Sequence, residues 1–216
     1  MQKQDTPTLP PCILSCPFLL NYAVDYNNKL GEGGFGAVYS AIDKRTNEPC
    51  AIKFLQDKIN GFRYKLKEIE ILKKAKNGHI IRMFEYYEEE KNNFVIFSME
   101  IASGSLNKQM KLMNSGFKKR LLIQFIADLL TGLLFSHSMK ISHSDIKPAN
   151  ILYFSIDREK IKGFQTLWTF DHFVVYKLAD WGSGQMQTID DTVTMKTAVT
   201  KTKAYAAPEI KNEEKK

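Results

Sequence analysis

The sequence predicts an α+β fold in two parts, strands with a single helix up to about residue 101 and a mainly helical region after it. Three observations carry this. A glycine-rich turn at residues 30–39 sits between strand-like runs, and a further apolar strand follows at residues 50–55. Residues 62–75 have helical spacing, with Leu66, Ile69 and Leu72 on one stripe. Residues 117–139 carry so wide an apolar stripe, from Leu121 to Leu134, that a helix buried on most of its faces is expected.

Composition bounds the classes available. The 216 residues are 44% hydrophobic and 25% charged, which argues against disorder throughout and supplies one sizeable domain or two small lobes. Cys12, Cys16 and Cys50 are odd in number and the four histidines are scattered, so the cysteines read as free thiols in a reducing compartment. The most apolar long segment, residues 121–135, contains Gln124 and Asp128 and is expected to be too short and too polar to span a bilayer. Prolines interrupt the apolar patch near residues 12–20, and no small-residue cleavage pattern stands out. The expectation is a cytoplasmic protein, with nuclear access open and no membrane partner. A net charge of +7 raises nucleic acid as a partner, but lysines interleave with glutamates, as in Lys65-Leu66-Lys67-Glu68, which reads as a solvated surface.

Residues 1–23 hold four of the seven prolines and no periodicity, and are expected to be a flexible tail or to lie along the first part. From there Gly31, Gly33 and Gly36 have G-x-G-x-x-G spacing, which lets backbone approach phosphate oxygens. A dinucleotide-binding turn requires a helix after the last glycine, whereas Val38, Tyr39 and Ile42 favour a strand; a Walker loop is excluded because no Gly-Lys-Ser/Thr follows. The turn Asn47-Glu48-Pro49 leads into Cys50-Ala51-Ile52-Lys53-Phe54-Leu55. A lone Lys is ordinarily a solvated surface group, but inside this apolar run its charge needs a partner, and Glu68 and Glu70 lie near the middle of the next helix. Residues 79–87 and 94–99 read as two more strands joined by a polar turn. After an apolar run ending in small residues at 99–106, the long helix delivers the chain to a polar loop; His137 near its end reads as structural.

That loop, Ile141-Ser142-His143-Ser144-Asp145-Ile146-Lys147-Pro148-Ala149-Asn150-Ile151-Leu152, places an Asp, a Lys and an Asn at the edge of a buried strand. Asp-x-Lys-x-x-Asn alone occurs by chance on many surface loops. Its weight comes from Lys177-Leu178-Ala179-Asp180-Trp181-Gly182, an Asp at a strand end before a Gly, and from Ala207-Pro208-Glu209. In this order over residues 30–209, the motifs resemble those of eukaryotic-type protein kinases. Lys147 after Asp145, and the run from Thr202 to Glu209, resemble the serine/threonine branch.

The resemblance implies a two-lobed kinase fold. Residues 24–101 would form an antiparallel five-stranded small lobe with one helix, and residues 102–216 a partial, mainly helical large lobe. It implies Mg²⁺-assisted transfer of the ATP γ-phosphate to Ser or Thr of protein substrates, with regulatory proteins as possible partners and no nucleic acid. Asp145 would position the hydroxyl and accept its proton, Lys147 would neutralise the transferring group, and Asn150 and Asp180 would hold the metal. Lys53 would contact the α- and β-phosphates while paired with Glu68, preferred over Glu70 because Glu68-Ile69-Glu70-Ile71-Leu72 fits the family pattern Glu-x-x-Ile/Leu-Leu. The nucleotide would lie against Leu30, Gly31, Glu32, Gly33, Gly34, Phe35, Gly36, Val38, Ala51 and Leu152. Backbone near Glu100 and Ala102 would bond the adenine edge, and Lys53, Asp145 and Asp180 are expected to converge on one triphosphate.

Several departures from the family carry expectations of their own. Ser144 stands where most regulated members have Arg, so activity is expected to depend little on phosphorylation of Thr188, Thr192, Thr194, Thr197 or Thr200. Trp181 replaces the usual Phe. Residues 153–176 exceed the family's short hairpin, and Phe164, Trp168, Phe170 and Phe173 are expected to pack on one another. The sequence stops seven residues beyond Glu209, so a truncated catalytic domain is expected, weakly active alone, with the apolar face of residues 121–134 uncovered. The rival reading is a pseudokinase-like module that binds nucleotide or a partner without turnover.

Overall fold

The computed structural model describes residues 10–33, 36–55, 61–112, 119–157, 172–186 and 203–205. The chain divides into two compact units, Met1–Ile69 with Met83–Ile101, and Glu70–Arg82 with Ala102–Lys216.

The first unit is an antiparallel five-stranded sheet in the order β1-β2-β3-β5-β4. Its strands are β1 (Tyr22–Gly33), β2 (Gly36–Asp43), β3 (Glu48–Leu55), β4 (Met83–Glu89) and β5 (Phe94–Met99). Side chains alternate between the faces of a strand. Cys50, Ile52 and Phe54 of β3 therefore enter a buried cluster with Tyr39, Phe94 and Ile96, while Ala51, Lys53 and Leu55 point to the opposite face. The α2 helix (Gly61–Lys74) follows β3.

Of the two readings of the N-terminal stretch, a flexible tail or a segment lying along the first part, residues 10–21 take the second and cover the first of these faces. A short α1 (Pro11–Leu14) and a 3-10 turn (Pro17–Asn21) bring Ile13, Cys16, Phe18 and Leu19 into the same cluster. The prolines that read as breakers each stand at a helix start, where their fixed φ and missing N–H cost nothing. Lys44 ties the segment down, its N–H on the Asn21 carbonyl at 2.9 Å and its ammonium on the Leu20 carbonyl at 3.1 Å.

The fourth strand also starts later than residue 79. His79 to Ile81 belong to the second unit, where the Ile81 N–H donates to the Leu178 carbonyl at 2.8 Å and the Leu178 N–H to the His79 carbonyl at 2.9 Å. Apolar alternation marks Ile80 and Ile81 as buried but not which strand they join.

In the second unit β6 (Gly104–Ser105), β8 (Ile151–Asp157) and β9 (His172–Leu178) form one sheet, and β7 (Ile141–Ser142) pairs with β10 (Gln185–Met186) in another. Two helices, α3 (Leu106–Leu112) and α4 (Lys119–Ser138), precede β7. The β8–β9 hairpin accounts for both ends of the 153–176 segment, while Phe164, Trp168, Phe170 and the Phe173 side chain lie outside the described residues.

The seating of α4 differs from expectation. Its buried residues are Asp128, Gly132 and Ser136, one turn apart on a single line. The Asp128 carboxylate accepts the Tyr176 N–H at 2.8 Å and the Gln124 side-chain amide at 2.6 Å. Gly132 lets the helix approach the His79 carbonyl, which an added Cβ would meet at 2.9 Å. Leu122, Ile123, Ile126, Leu130 and Leu134 are exposed, so the helix is buried on one narrow face and the uncovered apolar row expected from the sequence is present. Over its 20 residues α4 is long and apolar enough to cross a bilayer by length and composition, contrary to the estimate made on residues 121–135 alone. All three cysteines are free thiols.

Candidate active site

On the first unit the glycine-rich strand pair and the buried cation are neighbours in register. Gly33 of β1 pairs with Gly36 of β2, and Val38 pairs with Lys53 of β3. Gly36 has φ +146° and an added Cβ would lie 1.8 Å from the Phe54 carbonyl oxygen, so only glycine fits. A strand and not a helix follows it, as the sequence indicated. Leu30, Gly31 and Glu32 lie on β1, and Ala51 is buried on β3. Gly34 and Phe35 lie outside the described residues. The Lys53 ammonium donates to both oxygens of Glu68, at 2.7 and 2.9 Å, with Lys53 7% and Glu68 2% exposed. Glu70 is exposed. A buried ammonium is tolerated because a carboxylate of opposite charge takes it in two hydrogen bonds.

On the second unit the loop after β7 gathers its polar side chains around Asp145. Asp145 Oδ2 accepts from Lys147 Nζ at 2.7 Å and from Asn150 Nδ2 at 3.0 Å, and Asn150 Nδ2 also donates to the Asp145 carbonyl at 2.9 Å. The Asn150 carbonyl accepts the Ala179 N–H at 2.9 Å, which binds this loop to the residue before Asp180. Asp180 is half-buried at the end of β9 with φ +62°, a left-handed conformation that redirects the chain into Trp181. Leu152 pairs with Ser105, on the strand that follows Ala102. Glu100 and Ala102, both half-buried, flank the boundary between the units.

Comparison with known proteins decides the family: the protein kinase domain matches residues 24–216. This chain is a member of the protein kinase domain family. It is 34% identical over 190 residues to the serine/threonine-protein kinase pakH of Dictyostelium discoideum, covering 88% of this chain and 33% of the relative. It is 31% identical over 140 residues to pakE of the same organism, covering 65% and 15% respectively. Calcium-dependent protein kinase 5 of Plasmodium berghei is 32% identical over 126 residues, covering 58% and 22%. The chain thus spans about a third or less of the length of these relatives.

In this kinase domain one residue of the loop plays a part that the sequence alone does not indicate. His143 is 2% exposed and takes the Asp145 N–H on Nδ1 at 3.3 Å, so its proton sits on Nε2, which donates to the Ala179 carbonyl at 2.9 Å. Its ring lies 4.5 Å from that of Trp181, centroid to centroid. Burial pushes its pKa below the ordinary histidine value, partly opposed by the Ala179 hydrogen bond and by the Asp180 and Asp145 charges, so the ring is neutral. His143 therefore links the carboxylate loop to the Asp180 segment. Trp181 is fully buried, and among the described residues its Nε1 has no hydrogen-bond partner. Ser144 has φ +64° and its hydroxyl lies 3.4 Å from that of Ser142. The activation-segment threonines, Thr202 and Ala207-Pro208-Glu209 lie outside the described residues. Among the described residues no group of three or more His, Cys, Asp or Glu side chains is arranged to hold a metal ion.

Proposed function

We propose that this kinase domain transfers the γ-phosphate of ATP to Ser or Thr hydroxyls of proteins, with Asp145 as the residue that orients the hydroxyl and takes its proton. The observation that carries the reading is the hydrogen-bonding of the Asp145 carboxylate. Lys147 and Asn150 both donate to Oδ2, which holds the carboxylate and leaves Oδ1 as the oxygen that would take the hydroxyl proton. The Lys147 ammonium beside it is a compact positive charge suited to an oxyanion of the transferring group. Lys53, held by Glu68, is the corresponding charge for the α- and β-phosphates.

A magnesium ion fits the donor chemistry. The Asn150 amide spends its N–H donors on Asp145, leaving Oδ1 as its acceptor, and Asp180 adds a carboxylate. Mg²⁺ takes one or two such oxygens from protein and completes its shell from phosphates and water, so a cluster of three acidic side chains is not required. When bound, the ion supplies charge neutralisation at the phosphates. Ser144 offers no guanidinium to a phosphothreonine, so turnover is proposed to depend little on activation-segment phosphorylation, and a phosphatase-treated sample should keep most of its rate.

Phosphate transfer to a generic basic protein, wild type against Asp145→Ala, tests the reading. The expected loss is about 10²–10⁴-fold, with nucleotide binding retained. Equal rates refute it. Nucleotide binding without transfer in the wild type supports the alternative, a pseudokinase-like module, to which the missing Arg at Ser144 also points.

A further inference from the structure

The first unit buries a second cation that phosphoryl transfer does not use. Lys65 of α2 is 3% exposed, and its ammonium donates to Asn93 Oδ1 at 2.8 Å. Asn93 closes the turn between β4 and β5, its N–H on the Glu90 carbonyl at 3.1 Å, and has φ +52°. Asn is one of the few residues that enter that region readily and also carry a side-chain acceptor. The two properties together bring an amide oxygen to α2.

Lys65 stands three residues before Glu68, and residues so spaced are neighbours on one helix face. Any roll of α2 about its axis would swing the Glu68 carboxylate away from the Lys53 ammonium, which it meets at 2.7 and 2.9 Å. Buried Ile69 also packs from this helix, but apolar contacts are non-directional and resist a roll less than a hydrogen bond to a fixed turn does. Burying an ammonium is costly, so an apolar residue of similar length would fill the site more cheaply; what Lys65 adds is direction.

We propose that Lys65 and Asn93 form a lock that sets the rotation of α2 and thereby holds Glu68 on Lys53. Lys65 is a positioning residue acting through Glu68. Its effect on turnover rests on the kinase reading above, whereas the lock itself does not.

The test uses the full chain with Lys65→Met, which keeps an unbranched apolar stem, Asn93→Gly, which keeps the left-handed turn but removes the acceptor, and Asn93→Asp, which keeps both. Amide exchange over residues 65–70 and kcat/KM for ATP are measured below each variant's melting temperature. Lys65→Met and Asn93→Gly are expected to speed exchange and lower kcat/KM about tenfold, while Asn93→Asp matches wild type. In a Glu68→Gln background, Lys65→Met should change kcat/KM by less than about twofold, since no pair remains to be positioned. Unchanged exchange, or losses that multiply with Glu68→Gln, overturns the proposal. Should Lys65→Met fail to fold, the Gly and Asp variants of Asn93 decide it. A wild type that transfers no phosphate refutes the kinase reading, and exchange alone then decides the lock.

Discussion

Asn150 donates its side-chain amide to Asp145 twice, to the backbone carbonyl at 2.9 Å and to Oδ2 at 3.0 Å, both residues being buried. The pair closes a six-residue loop on itself, so the carboxylate is oriented before any substrate arrives. Asn150→Ala would take the side-chain donor from the buried Asp145 carbonyl and leave Oδ2 to Lys147. The expected cost is about 1–3 kcal/mol of stability, read by urea denaturation, together with loss of transfer. A variant of unchanged stability would show that the clamp contributes nothing to the loop.

The Lys53–Glu68 pair makes a prediction about stability that is separate from turnover. Lys53→Met leaves Glu68 as a buried carboxylate without its cation and should cost about 3–5 kcal/mol. Lys53→Met combined with Glu68→Leu removes the stranded charge and should recover most of that loss. The same denaturation experiment checks both, and a double variant as unstable as the single one would mean that packing, not charge, sets the cost.

This pair is also the part of the site most legible in the sequence, because an ammonium inside Ala51–Leu55 demands a partner and the next helical stripe offers two carboxylates. The Asp145 loop is legible for a different reason, as spacing in a recognised order. His143 is not, since its partner is a carbonyl 36 residues away that becomes adjacent only when β9 is in place. For residues 10–21 the sequence leaves a tail and a covering segment both open, because prolines interrupt periodicity whether they end helices or begin them. For α4, a wide apolar stripe shows that the helix is amphipathic but not which face is seated. Small and polar residues at Asp128, Gly132 and Ser136 make the contact because they admit the backbone of a neighbouring segment.

His143 gives a pH dependence with a definite sign. Its folded pKa lies below the ordinary 6.5 because burial disfavours the imidazolium. The unfolded chain therefore takes up a proton at and below that pH which the folded chain refuses. The stability contributed by the neutral ring is fully present above pH 6.5 and declines as pH falls toward the folded pKa, by at most about 1.4 kcal/mol per unit. Denaturation midpoints from pH 8 down to about 5 should show this slope in the wild type and a shallower one in His143→Gln. Parallel profiles would exclude His143 as the source.

Residues 10–21 should behave as core. Ile13 is 1% exposed, and Ile13→Ala is expected to cost about 2–5 kcal/mol. Leu20, 74% exposed on the same segment, is the control, and its replacement by Ala should stay within about 0.5 kcal/mol. Thermal denaturation of the two variants separates a packed segment from a tail, for which both changes would be silent.

Gly132→Ala sets two effects against each other. Within a helix the change removes backbone freedom from the unfolded chain and should stabilise by about 1 kcal/mol. Here the new methyl would meet the His79 carbonyl oxygen at 2.9 Å and the His79 Cβ and Leu178 Cδ1 at 3.3 Å. The first contact is with backbone, which has no rotamer to yield, so overpacking of about 1–3 kcal/mol should win and the variant should be less stable. The displaced segment is the one bonded to Leu178, two residues before Asp180, so transfer should fall even at temperatures where the variant is folded. A more stable Gly132→Ala would mean that α4 can move away from His79 without cost, and that its narrow seat does not hold the end of β9 in place.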